Sequence, residues 1–492
     1  MEKTSFEHYH AEAVDSPKSE DSSSEPTWTP EEERAVRRKL DLRLVPPVTL
    51  LYLLCFIDRA NVGNARIQGM AKDLNLVGYR FNWALTVFYF TYVAVEIPSN
   101  AILKKVGARF WIPALVAGFG LVSLCTAFVK SFEGLCIARA FLGLVEGGTM
   151  PGIAFFLSCF YKREELLFRV GIFVSAASLA GAFGGLLATG LSRIPPWGVA
   201  SMRIHTWRNI FFFEGLLTLL VSLAAPFVMA SRPEECKFLT DRERMIAAER
   251  LVREHQANPH EVVKMRHAKR AVLNINNVIC AGGFFLINVT VQSFSLFLPS
   301  ILNDLGWTAT KAQLYSVPPY VCACIIAITI AFVSDRTRMR GLYLAIFTIF
   351  PIIGFALLRT SNNVNVKYAS VYLAAIGAFP GGPGFLSWGL NNAAGPAVRA
   401  VAGGYIVSIG SLGAIVATWT YLPRDAPRYP IGHTINLVAE VGVLCLALAG
   451  IFYCKWENRQ RQLGRRDDRL LNITPEQEVD LGYRHPNFRY IA

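Results

Sequence analysis

The sequence predicts an all-α membrane protein whose twelve transmembrane helices fall into two six-helix bundles. Three observations carry this. Charged residues make up 17% of the 492-residue chain, well below the roughly 25% of a soluble globular protein. The hydrophobic residues, 53% of the chain, gather in runs of about 18 to 26 residues, long enough to cross a hydrocarbon core of about 30 Å. Short charged clusters separate the runs, and their lysines and arginines favour alternate connections, as membrane topology requires.

Taken in order, residues 1–33 are acidic and Ser-rich with few large apolar side chains, which predicts a disordered tail without a cleavable signal. Thr29-Pro30-Glu31-Glu32 is a helix start, with a capping threonine, proline at the first helical position and glutamate three residues after the cap. The basic stretch Arg34, Arg37, Arg38, Lys39 and Arg43 then leads into the first apolar run. Spans are expected near 44–66, 81–103, 111–129, 133–158, 168–191, 208–230, 273–298, 312–334, 341–358, 367–390, 400–421 and 434–454. The long connection 231–272 divides them six and six. Within it, Thr240-Asp241-Arg242-Glu243 is a second capping box opening a charged surface helix. The chain therefore reads as a tail and basic pre-helix (1–43), a first bundle (44–230), a linker (231–272), a second bundle (273–454) and a C-terminal tail (455–492).

Basic residues orient the chain. Lys104, Lys105 and Arg109 follow span 2, Lys162, Arg163 and Arg169 follow span 4, and Arg336, Arg338 and Arg340 follow span 8. The opposite connections are poorer, despite Arg66, Lys72, Arg193, Arg203 and Arg208. Both termini and the linker are expected in the cytosol. The basic connections after spans 2 and 8 echo each other, as a duplicated bundle would give.

Several classes are excluded. The net charge of +13 comes from clusters beside apolar runs, with no basic face or reader motif for nucleic acid. Nine of the ten cysteines lie in apolar runs and Cys236 lies in the linker, so neither a disulfide framework nor a metal cluster is expected. No Walker motif and no nucleophile–base or ligand set within a span is present. The chain is expected to be neither an ATPase nor another enzyme, and to need no cofactor.

The informative residues are charges inside apolar runs: Asp58 and Arg59 in span 1, Arg139 and Glu146 in span 4. Each costs about 2.5–3.5 kcal/mol at a bilayer centre, so such residues pair, face a cavity or serve function. Arg139 and Glu146 share a helix face, but lie about 10.5 Å apart along the axis, too far for a direct pair. Two readings stay open at this point. The four charges form two static bridges between spans 1 and 4, or they line a cavity binding an anion together with a proton. Neutral hydrogen-bonding groups also lie in the second half: Asn288 and Gln292 one turn apart on span 7, Asn391 and Asn392 at the end of span 10.

The motifs together carry a resemblance. Cys55-Phe-Ile-Asp58-Arg59-Ala-Asn61-Val-Gly63-Asn64, Glu96-Ile-Pro98-Ser-Asn100 and Arg139-Ala-Phe-Leu-Gly143-Leu-Val-Glu146-Gly147-Gly-Thr-Met-Pro151-Gly152 resemble spans 1, 2 and 4 of the anion:cation symporter family. Ser178 to Gly185, Thr206-Trp207-Arg208, Phe297-Leu-Pro299, Ser316 to Tyr320, Ser334-Asp335-Arg336 and Asp425 to Tyr429 extend it over roughly residues 40 to 455. The nearest branch is that of the fungal allantoate and nicotinate permeases, within the major facilitator superfamily. The resemblance implies a major facilitator fold and proton-coupled uptake of a small organic anion by alternating access, by a monomer in the plasma membrane. Its partners would be the anion, a proton and the lipid bilayer.

It further implies protonation at Asp58 and Glu146, anion binding or coupling at Arg59 and Arg139, and a cavity tyrosine at Tyr92. Asn288, Gln292, Asn391 and Asn392 would add neutral hydrogen bonds. Asp335 and Arg336, with Lys104, Lys105 and Arg109, would form inner gates, although Lys104 stands where the superfamily places an acid. Ala180-Gly181 replaces the Gly-Pro of drug:proton antiporters in span 5, which favours uptake. Export of an anionic secondary metabolite and a non-transporting nutrient receptor are the alternatives. The glycines of spans 5 and 11 (Gly181, Gly184, Gly185, Gly190; Gly403, Gly404, Gly410, Gly413) are expected to allow close helix approach.

Overall fold

A computed structural model describes residues 28–199, 202–230, 232–256, 265–337, 339–394, 396–470 and 481–492. The tail before Trp28, expected to be disordered, lies outside them. Residues 28–33, counted with that tail, are structured instead, with α1 beginning at Pro30. Trp28 is buried, with the Arg253 guanidinium 4.9 Å above its ring.

Twelve long helical segments follow one another. They are α1 (Pro30–Ala65), α2 (Arg80–Val106), α3 (Ala108–Thr126), α4 in two pieces (Phe132–Glu146 and Thr149–Ser158), α5 (Arg163–Leu191) and α6 (Thr206–Val228). The second set is α7 (Ile275–Asp304), α8 (Ala309–Thr337), α9 (Arg340–Thr360), α10 in two pieces (Val364–Ala378 and Gly381–Asn391), α11 (Pro396–Ala417) and α12 (Pro430–Gln462). Ten of these are long and apolar enough to cross a membrane, and Val401–Ala417 adds a shorter apolar stretch. With α2, of 27 residues, they make the twelve. A two-stranded hairpin, β1 (Trp197–Val199) and β2 (Met202–Ile204), joins α5 to α6.

Both capping boxes form. The Thr29 hydroxyl accepts from the Glu32 amide at 3.2 Å while Glu32 accepts from the Thr29 amide at 2.9 Å. Thr240 and Glu243 exchange the equivalent bonds at 3.4 and 3.0 Å. The first box starts α1 at Pro30, as expected, and the helix runs unbroken through Pro46 and Pro47 into the span expected from 44. The second starts the linker helix Asp241–Gln256.

That linker helix sits against the N-terminal end of α1. Lys39 bonds Glu243 at 2.6 Å, Arg242 bonds Glu32 at 3.0 Å, and the buried Arg250 reaches Glu165 at 3.3 Å. Arg169 grips Asp41 with two nitrogens, at 2.6 and 2.7 Å. The bond from Lys39 holds the Glu243 carboxyl below its usual range. A depressed carboxylate stabilises the fold above its unfolded value, about 4.3, and loses that contribution as pH falls through the folded one. The linker clasp should therefore loosen as acidification protonates Glu243.

The two six-helix sets meet at the opposite end of α1. Among the described residues their hydrogen bonds cluster there. Gln68 donates to Gln313 at 2.9 Å, Asn82 to the Thr418 carbonyl at 2.6 Å, Trp419 to Thr86 at 2.9 Å and Tyr89 to Gln292 at 2.9 Å. Glycine permits part of this closure. A Cβ on Gly181 would stand 2.8 Å from the Tyr320 ring and one on Gly185 2.9 Å from the Gln313 carbonyl. Gly410 and Gly413 press against Phe284 and the Phe285 backbone, whereas Gly190 and Gly404 face open space and have no such part.

The same device seats α4 on α2. A Cβ on Gly143 would collide with the Phe88 carbonyl, and one on Gly147 with the Tyr92 carbonyl. This is a small-xxx-small contact in which backbones touch. Overpacking by a flexible neighbour costs about 1–3 kcal/mol, and here the neighbour is backbone. Gly147→Leu is expected to remove most folded protein from the membrane, measured by fluorescence-detected size exclusion. A normal monodisperse peak would refute the contact.

Candidate functional site

The close α2–α4 contact delivers Glu146, the last residue before the Gly147-Gly148 interruption of α4, to the last third of α1. There Arg59 donates through Nε to Glu146 Oε1. The Cys55 thiol, one turn earlier on α1, donates to the same oxygen at 2.7 Å. Glu146 is fully buried and the Arg59 side chain 8% exposed. Aromatic rings wall the guanidinium. Its central carbon lies 4.7 Å from the Phe56 and Tyr92 ring centres and 5.7 Å from that of Phe88. Such faces favour a cation that water cannot reach. Glu96, one turn beyond Tyr92, is also buried, and one oxygen each of Glu96 and Glu146 has no partner.

Asp58 points elsewhere. It accepts from the Ser123 hydroxyl of α3 at 2.5 Å. Arg139 is buried with its guanidinium 5.8 Å from the Phe211 ring and makes no ion pair among the described residues. Its charge interacts with Asp58 first and then with Glu146. Glu214 of α6 is buried near Asp58, with neither carboxylate oxygen partnered. Of the two static bridges that the four charges permit, one forms. In the second group Asp58 lies between Arg139 and Glu214 and forms no ion pair with Arg139 among the described residues.

The neutral residues divide. Gln292 accepts from Tyr89 at 2.9 Å and donates to Asn288 at 3.4 Å, so it reaches the helix that walls Arg59. Asn288 in turn donates to the Gly410 carbonyl at 2.9 Å. Asn391 and Asn392 lie at the linker end instead. Asn391, with its amide oxygen turned to Arg340, accepts two bonds at 3.0 and 3.1 Å. Asn392 exchanges two bonds with the Ile491 backbone, at 2.8 and 2.9 Å, and so anchors the C-terminal segment. Arg109 donates to the Pro226 carbonyl at 3.0 Å, while Lys105 and Arg336 are exposed. The side chains of Lys104 and Asp335 lie outside the described residues.

Sequence reasoning passed over Glu96 as a site residue, Glu214, Cys55, Ser123 and Glu440 of α12, whose two oxygens are also buried and unpartnered. The signal for the three glutamates was present. Each is an acid inside an apolar run, like Asp58 and Glu146. Cys55 and Ser123 carry no such mark.

A profile of the Major Facilitator Superfamily matches residues 48–418. The chain is 31% identical over 460 residues to the high-affinity nicotinic acid transporter of Saccharomyces cerevisiae, covering 93% of this chain and 85% of that one. It is 33% identical over 432 residues to an uncharacterised transporter of Schizosaccharomyces pombe, covering 88% of each. It is 32% identical to the MFS-type transporter efuF of Hormonema carpetanum, covering 87% of this chain and 86% of that one. Among solved structures it resembles a bacterial homologue of the human lysosomal transporter Spinster, in an inward-facing and occupied conformation (TM-score 0.60, 16% identity, 85% and 96% of the two chains covered). The inward-open xylose transporter XylE of E. coli gives the same TM-score at 14% identity, with 81% and 95% covered.

Proposed function

The chain belongs to the Major Facilitator Superfamily, and on that premise we propose that this multi-pass transporter takes up a small organic anion together with a proton. The observation that carries the reading is the Arg59–Glu146 pair, buried and walled by Phe56, Phe88 and Tyr92. A substrate carboxylate and the Glu146 carboxylate are rivals for one guanidinium. While Glu146 is ionised it occupies Arg59. Once protonated it releases Arg59, and an anion can take the bidentate geometry that arginine offers. Proton and anion then enter as a pair, each favouring the other, and coupled movement follows. Asp58, with Glu214 and Arg139 close by, is the second place where a proton is held. Gln292, bonded to Tyr89, is placed to report site occupancy to the second bundle.

Two further findings support the reading. The yeast nicotinic acid transporter, by its name a carrier of a small carboxylic acid, is 31% identical to this chain. The contacts that close the two bundles lie at the end away from the linker. This suits the inward-facing half of an alternating-access cycle. The protein then works as a monomer in the plasma membrane.

The test is uptake of labelled nicotinate, allantoate, pantothenate, a sugar acid and a dicarboxylate at two external pH values. At least one anion is expected to accumulate faster from the acidic medium, with its uncharged amide excluded. No acid-stimulated uptake for any of the five would sink the reading. Orientation has its own check. A tag inserted in 257–264 should resist labelling from outside intact cells and label after permeabilisation, and labelling of intact cells would reverse the topology.

A further inference from the structure

The second bundle holds a carboxyl that the mechanism above does not use. Glu440 of α12 lies ten residues in from Pro430, about 15 Å down the helix and inside its apolar run. It is fully buried, and neither of its oxygens has a partner. Thr290 of α7 faces it, also fully buried, with its hydroxyl unpartnered. One turn back on the same face, the Asn436 amide nitrogen donates to the Tyr421 hydroxyl at 3.3 Å and the Gly432 carbonyl at 3.0 Å. That fixes the amide orientation and leaves the buried Asn436 oxygen as a further unpartnered acceptor. Thr290 from α7 thus meets the acid, and Asn436 lies one turn away on the same face of α12.

We infer that Glu440, with Thr290 and Asn436, is a further proton-binding site, seated in the C-terminal bundle. The hydrogen-bond inventory selects the ligand. An ionised carboxylate only accepts, so it can serve the Thr290 hydroxyl but leaves the Asn436 oxygen bare. A protonated carboxyl donates its O–H to the Asn436 oxygen, one helical turn away, and accepts from Thr290 with its other oxygen. One added proton therefore satisfies every orphan atom. A hard metal cation would need about six or more oxygens, which these groups do not supply.

Further polar groups lie between the site and the N-terminal end of α12. Asn436 shares the Tyr421 hydroxyl with His433 (3.2 Å), and Tyr429 donates to Asp304 of α7. Lys367 of α10 acts electrostatically on His433, and Phe355 of α9 packs on the His433 ring. The α9 cations, Arg340 and Arg359, stand at the two ends of their helix. Among the described residues no charged side chain neutralises Glu440. The first bundle has a counterpart in Glu214 of α6, which is likewise buried and unpartnered. The proton adds to a Glu440 oxygen without breaking any other bond and leaves as a hydrated proton. Only the naming of that proton as cargo rests on the transport reading.

The experiment is an infrared titration of the full chain in liposomes, with no anion present, between about pH 5 and about pH 9. One protonated-carboxyl C=O band of the parent is expected to vanish as pH rises. It should be missing throughout in Glu440→Gln and retained in Glu146→Gln. If Glu440→Gln keeps every titrating band of the parent, or if the band it loses never titrates in the parent, the site is overturned. Should Glu440→Gln fail to accumulate, Thr290→Val is the second variant. It should shift the frequency of the same band, and an unmoved band overturns the assignment. Because no substrate is needed, a negative uptake panel beside a positive titration rejects the anion and keeps the proton site.

Discussion

Glu146→Gln is expected to abolish acid-stimulated, concentrative uptake while exchange of labelled for unlabelled anion continues. Glutamine keeps the shape of the protonated acid and cannot release a proton. Arg59 then faces a permanently neutral partner and stays free to hold an anion in every state. A gradient of one pH unit is worth about 1.4 kcal/mol, or tenfold accumulation for one coupled proton, and the variant should show none of it. The measurement is the steady-state ratio of internal to external label with and without an imposed pH gradient. Accumulation equal to the parent would leave Glu146 a structural ion-pair partner.

Arg59→Lys is the second large effect. Lysine retains the charge but loses the planar fork and its fit among Phe56, Phe88 and Tyr92. Losing a charge-assisted hydrogen bond costs about 1.5–3 kcal/mol, roughly ten- to a hundred-fold in apparent affinity. Surface abundance should stay near normal, because an ammonium can still neutralise Glu146. Arg139→Lys should move in the same direction by less, since Arg139 makes no ion pair among the described residues and keeps its electrostatic role toward Asp58 as lysine. Surface protein and initial rate measured together separate the cases. Parent-like transport in Arg59→Lys removes the guanidinium from the substrate site, and loss of the protein from the membrane makes the pair bundle glue.

What could be read from the sequence depended on how locally it is encoded. The twelve spans come from apolar runs about as long as a bilayer is thick, and both capping boxes lie within four consecutive residues. The start of α1 was legible in its capping box, whereas the C-terminal extension of α12 was misjudged because a distant partner holds it. The segment 481–492 receives Arg461 of that extension, with a bond of 2.9 Å to the Tyr483 carbonyl. The same segment draws Asn392 away from any central site, which spacing within α10 could not reveal. The four charges of α1 and α4 were visible as violations of hydrophobicity. Which arginine meets which acid was not, since Gly143 and Gly147 set it by seating α4 on α2. Glu96, Glu214 and Glu440 needed only the same rule applied without reference to motifs.

The central claim is that anion and Glu146 compete for Arg59, so that binding one substrate recruits one proton. Proton uptake by the purified protein in weakly buffered solution tests it most directly, using whichever anion the uptake panel selects. The parent should take up about one proton per anion bound near neutral pH, and Glu146→Gln none, by the linkage between protonation and binding. Anion binding by the parent with no proton uptake, or with the same uptake in Glu146→Gln, would contradict the account.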